Sequence, residues 1–271
     1  MVTLHGGGFM EGSRKDQLSY ETARELCHRG FAVVNIDYRL GLKGLKLSLP
    51  TVLRFGSLMQ RSIDMAAEDL ARAIDYLFRH ADELDINPYK IVVAGSSAGA
   101  IAALQLGYYI ANSVLNQVTR ALPRINRVPL RPAAIVSYSG AILSDRGAHH
   151  EDPIPTMLYH GLKDKLVPSN MLPCLLTRRL YGSERLHKEF KQHEGVFRTT
   201  LFAEAWHEVS LLLPKSAEQF CGFIDDVFAG KNDHSLSVSL RGSGIKPDEE
   251  WKKNIVGLLK DKSSQKESPS S

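Results

Sequence analysis

A serine flanked by glycines is the first feature of this sequence that could do chemistry. Residues 95–99 read Gly-Ser-Ser-Ala-Gly, after the apolar run 91–94 and before the helix-forming run 100–104. Between a strand and a helix, a G-x-S-x-G pentapeptide predicts a sharp turn that lifts the central serine clear of the backbone. Ser97 is therefore the candidate nucleophile, whereas Ser96 lies off the apex and is expected to pack or bond locally. The alternative is an ordinary glycine-rich strand–helix turn.

A run of three glycines near the start of the chain supplies a second chemical feature. Residues 5–8 read His-Gly-Gly-Gly and follow the short apolar run 1–4. Consecutive glycines add no side-chain packing, so their value lies in exposed N–H groups and unusual backbone angles. Such a loop can direct donors at a developing oxyanion, with a further donor from the residue after the nucleophile, Ala98. We expect His5 to brace this loop by hydrogen bonding instead of transferring protons.

Together, the motifs at 5–9 and 95–99 resemble the α/β-hydrolase superfamily, specifically its HGGG-type esterases. The resemblance covers roughly residues 1–228 and includes Asp-Tyr-Arg-Leu at 37–40. It implies that Gly7 and Gly8 donate to the oxyanion. The sequence of residues 8–16 most resembles that of bacterial carbohydrate-acyl or feruloyl-type esterases.

A serine nucleophile needs a base, and the base needs an acid that orients it. In the family that the sequence resembles, both follow the serine, in the order acid and then histidine. Asp164 lies in the turn 160–168, which resembles the acid-bearing turn of the family. His207 lies in the short loop 204–208 after the last predicted strand. Alternatively, Asp164 only stabilises its turn through backbone hydrogen bonds, and His207 only packs against its neighbours.

Other residues compete for these roles. Asp145 lies in the loop after the predicted strand 133–138 and is a rival acid, and His193, which precedes the last predicted strand, is a weaker rival base. The neighbours His149 and His150 look like a metal pair, but no third ligand stands at a suitable spacing. We therefore interpret the two histidines as solvated surface and predict no metal site.

The residues and the resemblance favour a serine hydrolase that cleaves carboxylic esters through an acyl-enzyme and uses no cofactor. Short-chain or carbohydrate-linked acyl esters are the expected small-molecule substrates. A peptidase of the prolyl-oligopeptidase type shares the serine turn and the triad order. A truncated, inactive hydrolase-fold binding protein is the alternative outside enzymology.

Composition adds little to this interpretation. The chain has 271 residues, of which 43% are hydrophobic, and a formal net charge of +4. We identify no nucleic-acid-binding module, no run long enough to span a membrane and no signal peptide. The three cysteines, Cys27, Cys174 and Cys221, have neither metal nor disulfide spacing, and the compartment stays unknown.

Alternating strand and helix patterns predict the α/β-hydrolase fold, with a mostly parallel sheet of about six strands and helices on both faces. Helices are expected at 16–29 and 62–80. The catalytic domain is expected to span residues 1–229. Two stretches, near 41–61 and 108–132, look like insertions that form part of a lid, although plain surface connections are an equal alternative.

The two ends of the chain carry further expectations. The family normally places two strands before the glycine loop, and these are lacking here, so the predicted strand 31–36 would become an apolar sheet edge. A partner subunit, and hence a homo-oligomer, is one way of covering that edge. Residues 230–271 are expected to contain a linker over 230–247, a short helix over 247–260 and a disordered tail.

Overall fold

The structure is a computed structural model of the chain, and it describes residues 1–46, 48–144, 146–173 and 178–240. Twelve strands are present in this part of the chain. They are β1 (Val2–Leu4), β2 (Val34–Ile36), β3 (Val92–Ser96), β4 (Arg124–Ile125), β5 (Val128–Pro129), β6 (Ala134–Tyr138), β7 (Ala141–Ser144), β8 (Thr156–Gly161), β9 (Met171–Pro173), β10 (Arg179–Gly182), β11 (Val196–Phe202) and β12 (Asp233–Ser239). The helices are α1 (Gln17–Cys27), α2 (Leu49–Arg79), α3 (Ala98–Ala111), α4 (Gln117–Arg120), α5 (Ser183–Phe190) and α6 (Ala217–Phe228).

Seven of the strands form one parallel sheet in the order β12-β11-β8-β6-β3-β1-β2. The sequence predicts about six strands, so the observed sheet has one more. Since all seven strands run the same way, the residues that follow β1, β3, β8 and β11 lie together at the carboxyl ends of the strands. The glycine loop, Ser97, Asp164 and His207 belong to these segments.

Helices cover both faces of the sheet, as the sequence predicts. Alternate strand residues point to opposite faces. Val93 and Ile135 belong to the core formed with α2, α3 and α5. Val92 and Val136 belong to the core formed with α1 and α6. A central strand such as β3 is therefore apolar on both sides, which explains why its sequence shows a continuous apolar run.

The first two helices match the sequence to different degrees. Helix α1 begins after Asp16, whose carboxylate accepts the N–H of Ser19 as an N-cap. Helix α2 begins at Leu49, thirteen residues before the predicted start, so most of the predicted insertion 41–61 is helical. Phe55, Leu58 and Met59 of this added portion pack against the core, and this packing stabilises the longer helix. A role in a lid stays a prediction.

The predicted insertion 108–132 completes α3 and then forms α4 and the small β4–β5 hairpin. Strands β7, β10 and β9 form a separate antiparallel sheet. Within the described residues, no helix is both long enough and apolar enough to cross a bilayer.

One edge of the main sheet is formed by a segment for which the sequence predicts a linker. Residues 230–247 carry that prediction, but Asp233–Ser239 forms β12 and pairs in parallel with β11 along its full length. An edge strand needs backbone partners on one side only, so a serine-rich sequence can form it without an apolar pattern. The other edge is β2, as the sequence predicts. The predicted helix 247–260 and the disordered tail lie outside the described residues.

Candidate active site

Ser97 occupies the apex of the turn between β3 and α3. Its φ is 50° and its ψ is −116°, a backbone conformation that is sparsely populated for any residue with a side chain. The N–H of Ser97 donates to the carbonyl of Tyr138 at 2.9 Å, which fastens the turn to the neighbouring strand β6. A Cβ on Gly99 would lie 2.5 Å from the carbonyl oxygens of Leu4 and His5, so only glycine permits this approach.

The glycine loop lies directly beside this turn. A Cβ on Gly6 would lie 3.4 Å from the Cβ of Ser97. Gly7 and Gly8 have φ values of 108° and 62°, in the left-handed region that favours glycine. Among the described residues, the structure gives no acceptor for the N–H groups of Gly7, Gly8 and Ala98. These donors thus remain available to a ligand.

His5 and Tyr38 brace the glycine loop. The Nδ1 atom of His5 lies 2.6 Å from the carbonyl oxygen of Gly6. The His5 ring stacks on the Tyr38 ring, with 4.3 Å between centroids. The Tyr38 hydroxyl donates to the carbonyl of His5 at 2.8 Å. Since both side chains are buried, they hold the loop backbone against movement.

Ser97, His207 and Asp164 form a continuous hydrogen-bonded chain. The Oγ–H of Ser97 donates to Nε2 of His207 at 2.8 Å. On the other side of the ring, Nδ1–H donates to Oδ2 of Asp164 at 2.7 Å. The carboxylate acceptor therefore selects the tautomer in which Nε2 is free to take a proton.

The carboxylate of Asp164 is fully buried yet hydrogen-bonded on both oxygens. Its Oδ1 accepts the N–H groups of Leu166 and Val167 at 2.9 and 3.0 Å. Burial raises the pKa of Asp164, but the contacts with His160 and His207 outweigh burial and hold the pKa well below its usual range. The carboxylate therefore stays ionised and can stabilise a protonated imidazole.

A hydrogen bond connects the loop that carries His207 to the turn that carries Ser97. It follows β11 and leads into a 3₁₀ turn over His207–Leu211. The Oγ–H of Ser96 donates to the carbonyl of Ser210 at 2.7 Å. Instead of bonding locally, Ser96 connects the loop that carries His207 to the end of β3, directly before Ser97.

The rival residues have other surroundings. Asp145 lies outside the described residues. His193 precedes β11, at the end of the strand opposite to His207.

The expectation of a solvated surface is wrong for His150. This residue is buried, with its ring edge-on to Tyr108 and Phe190. Its neighbour His149 is mostly exposed and pairs with Glu189. Across the described part of the chain, no three His, Cys, Asp or Glu side chains are placed to hold a metal ion.

Two contacts around the site have no clear signal in the sequence. Tyr38 stands in the run 37–40 that resembles the family, but nothing in that pattern indicates that its hydroxyl reaches the glycine loop. His160 lies four residues before Asp164, with its Nε2 3.4 Å from the Asp164 carboxylate. The His-Gly pair at the end of β8 was the available signal for this residue.

Comparison with solved structures establishes the class of fold. Esterase 2 of Thermogutta terrifontis superposes with a TM-score of 0.57 at 20% identity and covers 82% of each chain. The carboxylesterase Cest-2923 of Lactobacillus plantarum gives a TM-score of 0.52 at 16% identity, with 82% of this chain and 86% of that chain covered. The protein thus has the α/β-hydrolase fold.

Curated relatives match shorter segments. Lipase 2 of a Moraxella species is 30% identical over 135 residues, which are 48% of this chain and 25% of the relative. The acetyl esterase of Salmonella paratyphi B is 34% identical over 103 residues, which are 37% of this chain and 26% of the relative. An AB hydrolase superfamily protein of Schizosaccharomyces pombe is 33% identical over 114 residues, covering 42% of this chain and 28% of the relative. The matches thus span about a quarter of each relative.

A family model provides the more specific assignment. The BD-FAE model matches residues 1–48 and 53–143, about half of the chain. This match includes the glycine loop and the turn that carries Ser97. The chain belongs to the BD-FAE family.

Proposed function

We propose that the protein is a serine esterase that hydrolyses carboxylic esters through an acyl-enzyme. The observation that carries the proposal is the hydrogen-bonded chain from Ser97 through His207 to Asp164, with spacings of 2.8 and 2.7 Å. This arrangement has the geometry that activates a serine. Relatives named lipase and acetyl esterase support the reaction class.

The proposed reaction begins with attack of Ser97 Oγ on the ester carbonyl. His207 takes the serine proton on Nε2, and the ionised Asp164 stabilises the resulting imidazolium. The N–H groups of Gly7, Gly8 and Ala98 hold the negative oxygen of the tetrahedral intermediate, and each such donor typically contributes about 2.7–4 kcal/mol. His207 then protonates the leaving alcohol. A water activated by the same histidine hydrolyses the acyl-enzyme.

Short-chain acyl esters, including those carried on carbohydrates, are the proposed substrates. The names of two similar proteins support this choice. One relative is an acetyl esterase, and one similar fold is described as a truncated carbohydrate esterase from gut microbiota, with a TM-score of 0.54 at 16% identity. The site itself needs no cofactor for this chemistry, because nucleophile, base and oxyanion donors all come from the chain.

The test is labelling with a fluorophosphonate probe, followed by peptide mapping and by kinetics on p-nitrophenyl acetate. We expect the label on Ser97. Ser97→Ala should lose labelling and lower kcat by at least about 1,000-fold. Ser57→Ala, which changes an exposed serine on α2, is the matched control and should keep full activity.

Three results would contradict the proposal. Full ester hydrolysis by Ser97→Ala would exclude Ser97 as the nucleophile. Failure of the folded protein to react with the probe would favour a non-catalytic binding protein. Cleavage of proline-containing peptides at a much higher kcat/KM than esters would favour the peptidase alternative.

A further inference from the structure

A second buried histidine stands behind the proposed triad. His160 is the penultimate residue of β8 and has no solvent exposure. Its Nε2 lies 2.6 Å from the carbonyl oxygen of Val167, and its Nδ1 lies 2.8 Å from Oγ of Ser183. A carbonyl oxygen can only accept, so Nε2 carries the proton and Nδ1 accepts from the Ser183 hydroxyl. The Val167 carbonyl thereby fixes the tautomer of His160, and the Ser183 hydroxyl holds the opposite side of the ring.

His160 and Asp164 hold the same residue from two sides. The Asp164 carboxylate accepts the N–H of Val167, whereas His160 donates to the carbonyl of Val167. The proton-bearing Nε2 of His160 also lies 3.4 Å from Oδ2 of Asp164. That oxygen is the one that accepts the proton of His207. The direction of the carboxylate toward His207 therefore depends on the turn that His160 holds.

Helix α5 anchors this arrangement to the rest of the molecule. Ser183 is its first residue and is fully buried. The adjacent backbone is fastened to the segment after the acid turn, because Gly182 N–H donates to the carbonyl of Asn170 and Glu184 N–H donates to that of Ser169, each at 2.8 Å. The acid turn, His160 and the start of α5 thus form one hydrogen-bonded unit.

We propose that His160 is a positioning residue, which holds the Asp164 carboxylate in register with His207, while the Ser183 hydroxyl anchors the opposite side of the His160 ring. This inference rests on the esterase function proposed above. His160 exchanges no proton with the substrate. It acts through the acid, and a small displacement of the acid misaligns His207 relative to Ser97.

The test compares three variants with wild type. His160→Leu fills the site without a donor, and kcat should fall by about 10- to 100-fold with little change in KM, since misplacing a catalytic group by about 1 Å costs on the order of 100-fold. His160→Gln restores an N–H donor and should recover part of the loss. Ser183→Ala removes the hydroxyl that holds Nδ1, so the His160 ring loses one of its two anchors, and this variant should lower kcat as well.

Ser169→Ala is the matched control. The Ser169 hydroxyl donates to Glu184 at 2.8 Å, so this variant removes a hydroxyl bond between the same two segments without touching His160. Its kcat should equal that of wild type. Thermal unfolding of each variant establishes that it is folded, and Ser183→Ala keeps the inference testable if His160→Leu does not fold.

A spectroscopic readout separates positioning from general stability. The Nδ1–H of His207, bonded to Asp164, should give a low-field proton resonance in wild type and in Ser169→Ala. In folded Ser183→Ala and His160→Leu this resonance should move upfield or broaden. A variant that is merely less stable would keep the resonance below its unfolding temperature.

The outcomes distinguish this inference from the proposed function. Wild-type kcat and an unchanged resonance in folded His160→Leu or Ser183→Ala would overturn the positioning role, while labelling at Ser97 would leave the esterase proposal standing. Equal losses in Ser169→Ala would also overturn it, since the effect would then not depend on His160. Full activity of Ser97→Ala would instead refute the proposed function, and this inference with it.

Discussion

Gly161 shows how a single residue sets the distance between the proposed acid Asp164 and the proposed base His207. It follows His160 at the end of β8 and lies against the loop that carries His207. A Cβ at this position would run into the carbonyl oxygens of Ala205 and Trp206, which are backbone atoms that cannot swing aside. The absence of a side chain thus lets the loops that carry Asp164 and His207 approach each other.

Gly161→Ala should therefore separate Asp164 from His207. We expect kcat on p-nitrophenyl acetate to fall by about 100-fold, because a displacement of about 1 Å is enough for such a loss. Gly222→Ala is the control, since a Cβ there meets nothing within 4 Å on the exposed face of α6. That variant should keep wild-type kcat and gain up to about 1 kcal/mol in unfolding free energy. Wild-type kcat in Gly161→Ala would contradict this account of the close approach.

At the scale of elements, the loop between β7 and β8 is anchored by His150. Its ring lies between Tyr108 of α3 and Phe190 of α5, at centroid distances of 5.2 and 5.0 Å. Burial lowers the pKa of His150 to about 4, and the nearby His149 and His193 act in the same direction, whereas Glu189 and the hydrogen bond with Ala148 oppose it. The folded protein thus favours a neutral imidazole at this contact.

This burial predicts a pH-dependent stability. The pKa of His150 is depressed on folding, so its contribution is fully present above the unfolded value of about 6.5 and is lost as pH falls toward about 4. The loss amounts to about 3 kcal/mol of unfolding free energy, at 1.36 kcal/mol per pKa unit.

Denaturant unfolding between about pH 7 and about pH 4 measures this dependence. His150→Leu should show a shallower decline in unfolding free energy than wild type, even if it is less stable at neutral pH. The exposed residue His28 provides the control, because His28→Gln should keep the wild-type slope. Parallel curves for wild type and His150→Leu would show that another group causes the acid sensitivity.

At the scale of the whole molecule, the seven-stranded sheet ends in β2 on one side and in β12 on the other. Strand β12 covers the hydrogen-bonding edge of β11, the strand that leads to His207. Arg198 of β11 strengthens this contact by donating to Asp233 at 2.8 Å. An uncovered β11 would present unpaired backbone groups beside an apolar core, which favours aggregation.

Truncation tests the contribution of β12. A chain ending at residue 231 lacks β12, whereas a chain ending at residue 240 retains it. We expect the shorter chain to have a Tm several degrees lower and to aggregate at lower concentration, since 1 kcal/mol corresponds to about 2–4 °C for a protein of this size. Differential scanning calorimetry and light scattering measure both effects. Equal Tm values for the two chains would show that β12 adds no stability.

The candidate nucleophile and its partners could be predicted because their signals are local. Ser97 stands between a strand and a helix, and Asp164 and His207 each follow a strand in the expected order. In a parallel sheet the ends of such strands meet at one edge, so order along the chain translates directly into proximity. The distances of 2.8 and 2.7 Å agree with this expectation.

Only the tertiary structure decided the remaining features, because they depend on partners that are distant in sequence. Strand β12 exists because β11 offers it backbone hydrogen bonds, although its own sequence is polar. Helix α2 extends upstream of the predicted start because Phe55, Leu58 and Met59 pack against the core. His160 gained its neighbours Ser183 and Val167 from the docking of α5 against the acid turn. The sequence and the family resemblance nominated the candidate residues, with Asp145 and His193 as rivals, and the sequence by itself determined their order along the chain. The packing of separate elements determined β12, the start of α2 and the contacts of His160. A hydrogen bond or a buried ring depends on two segments, and the sequence of either segment alone does not predict the contact.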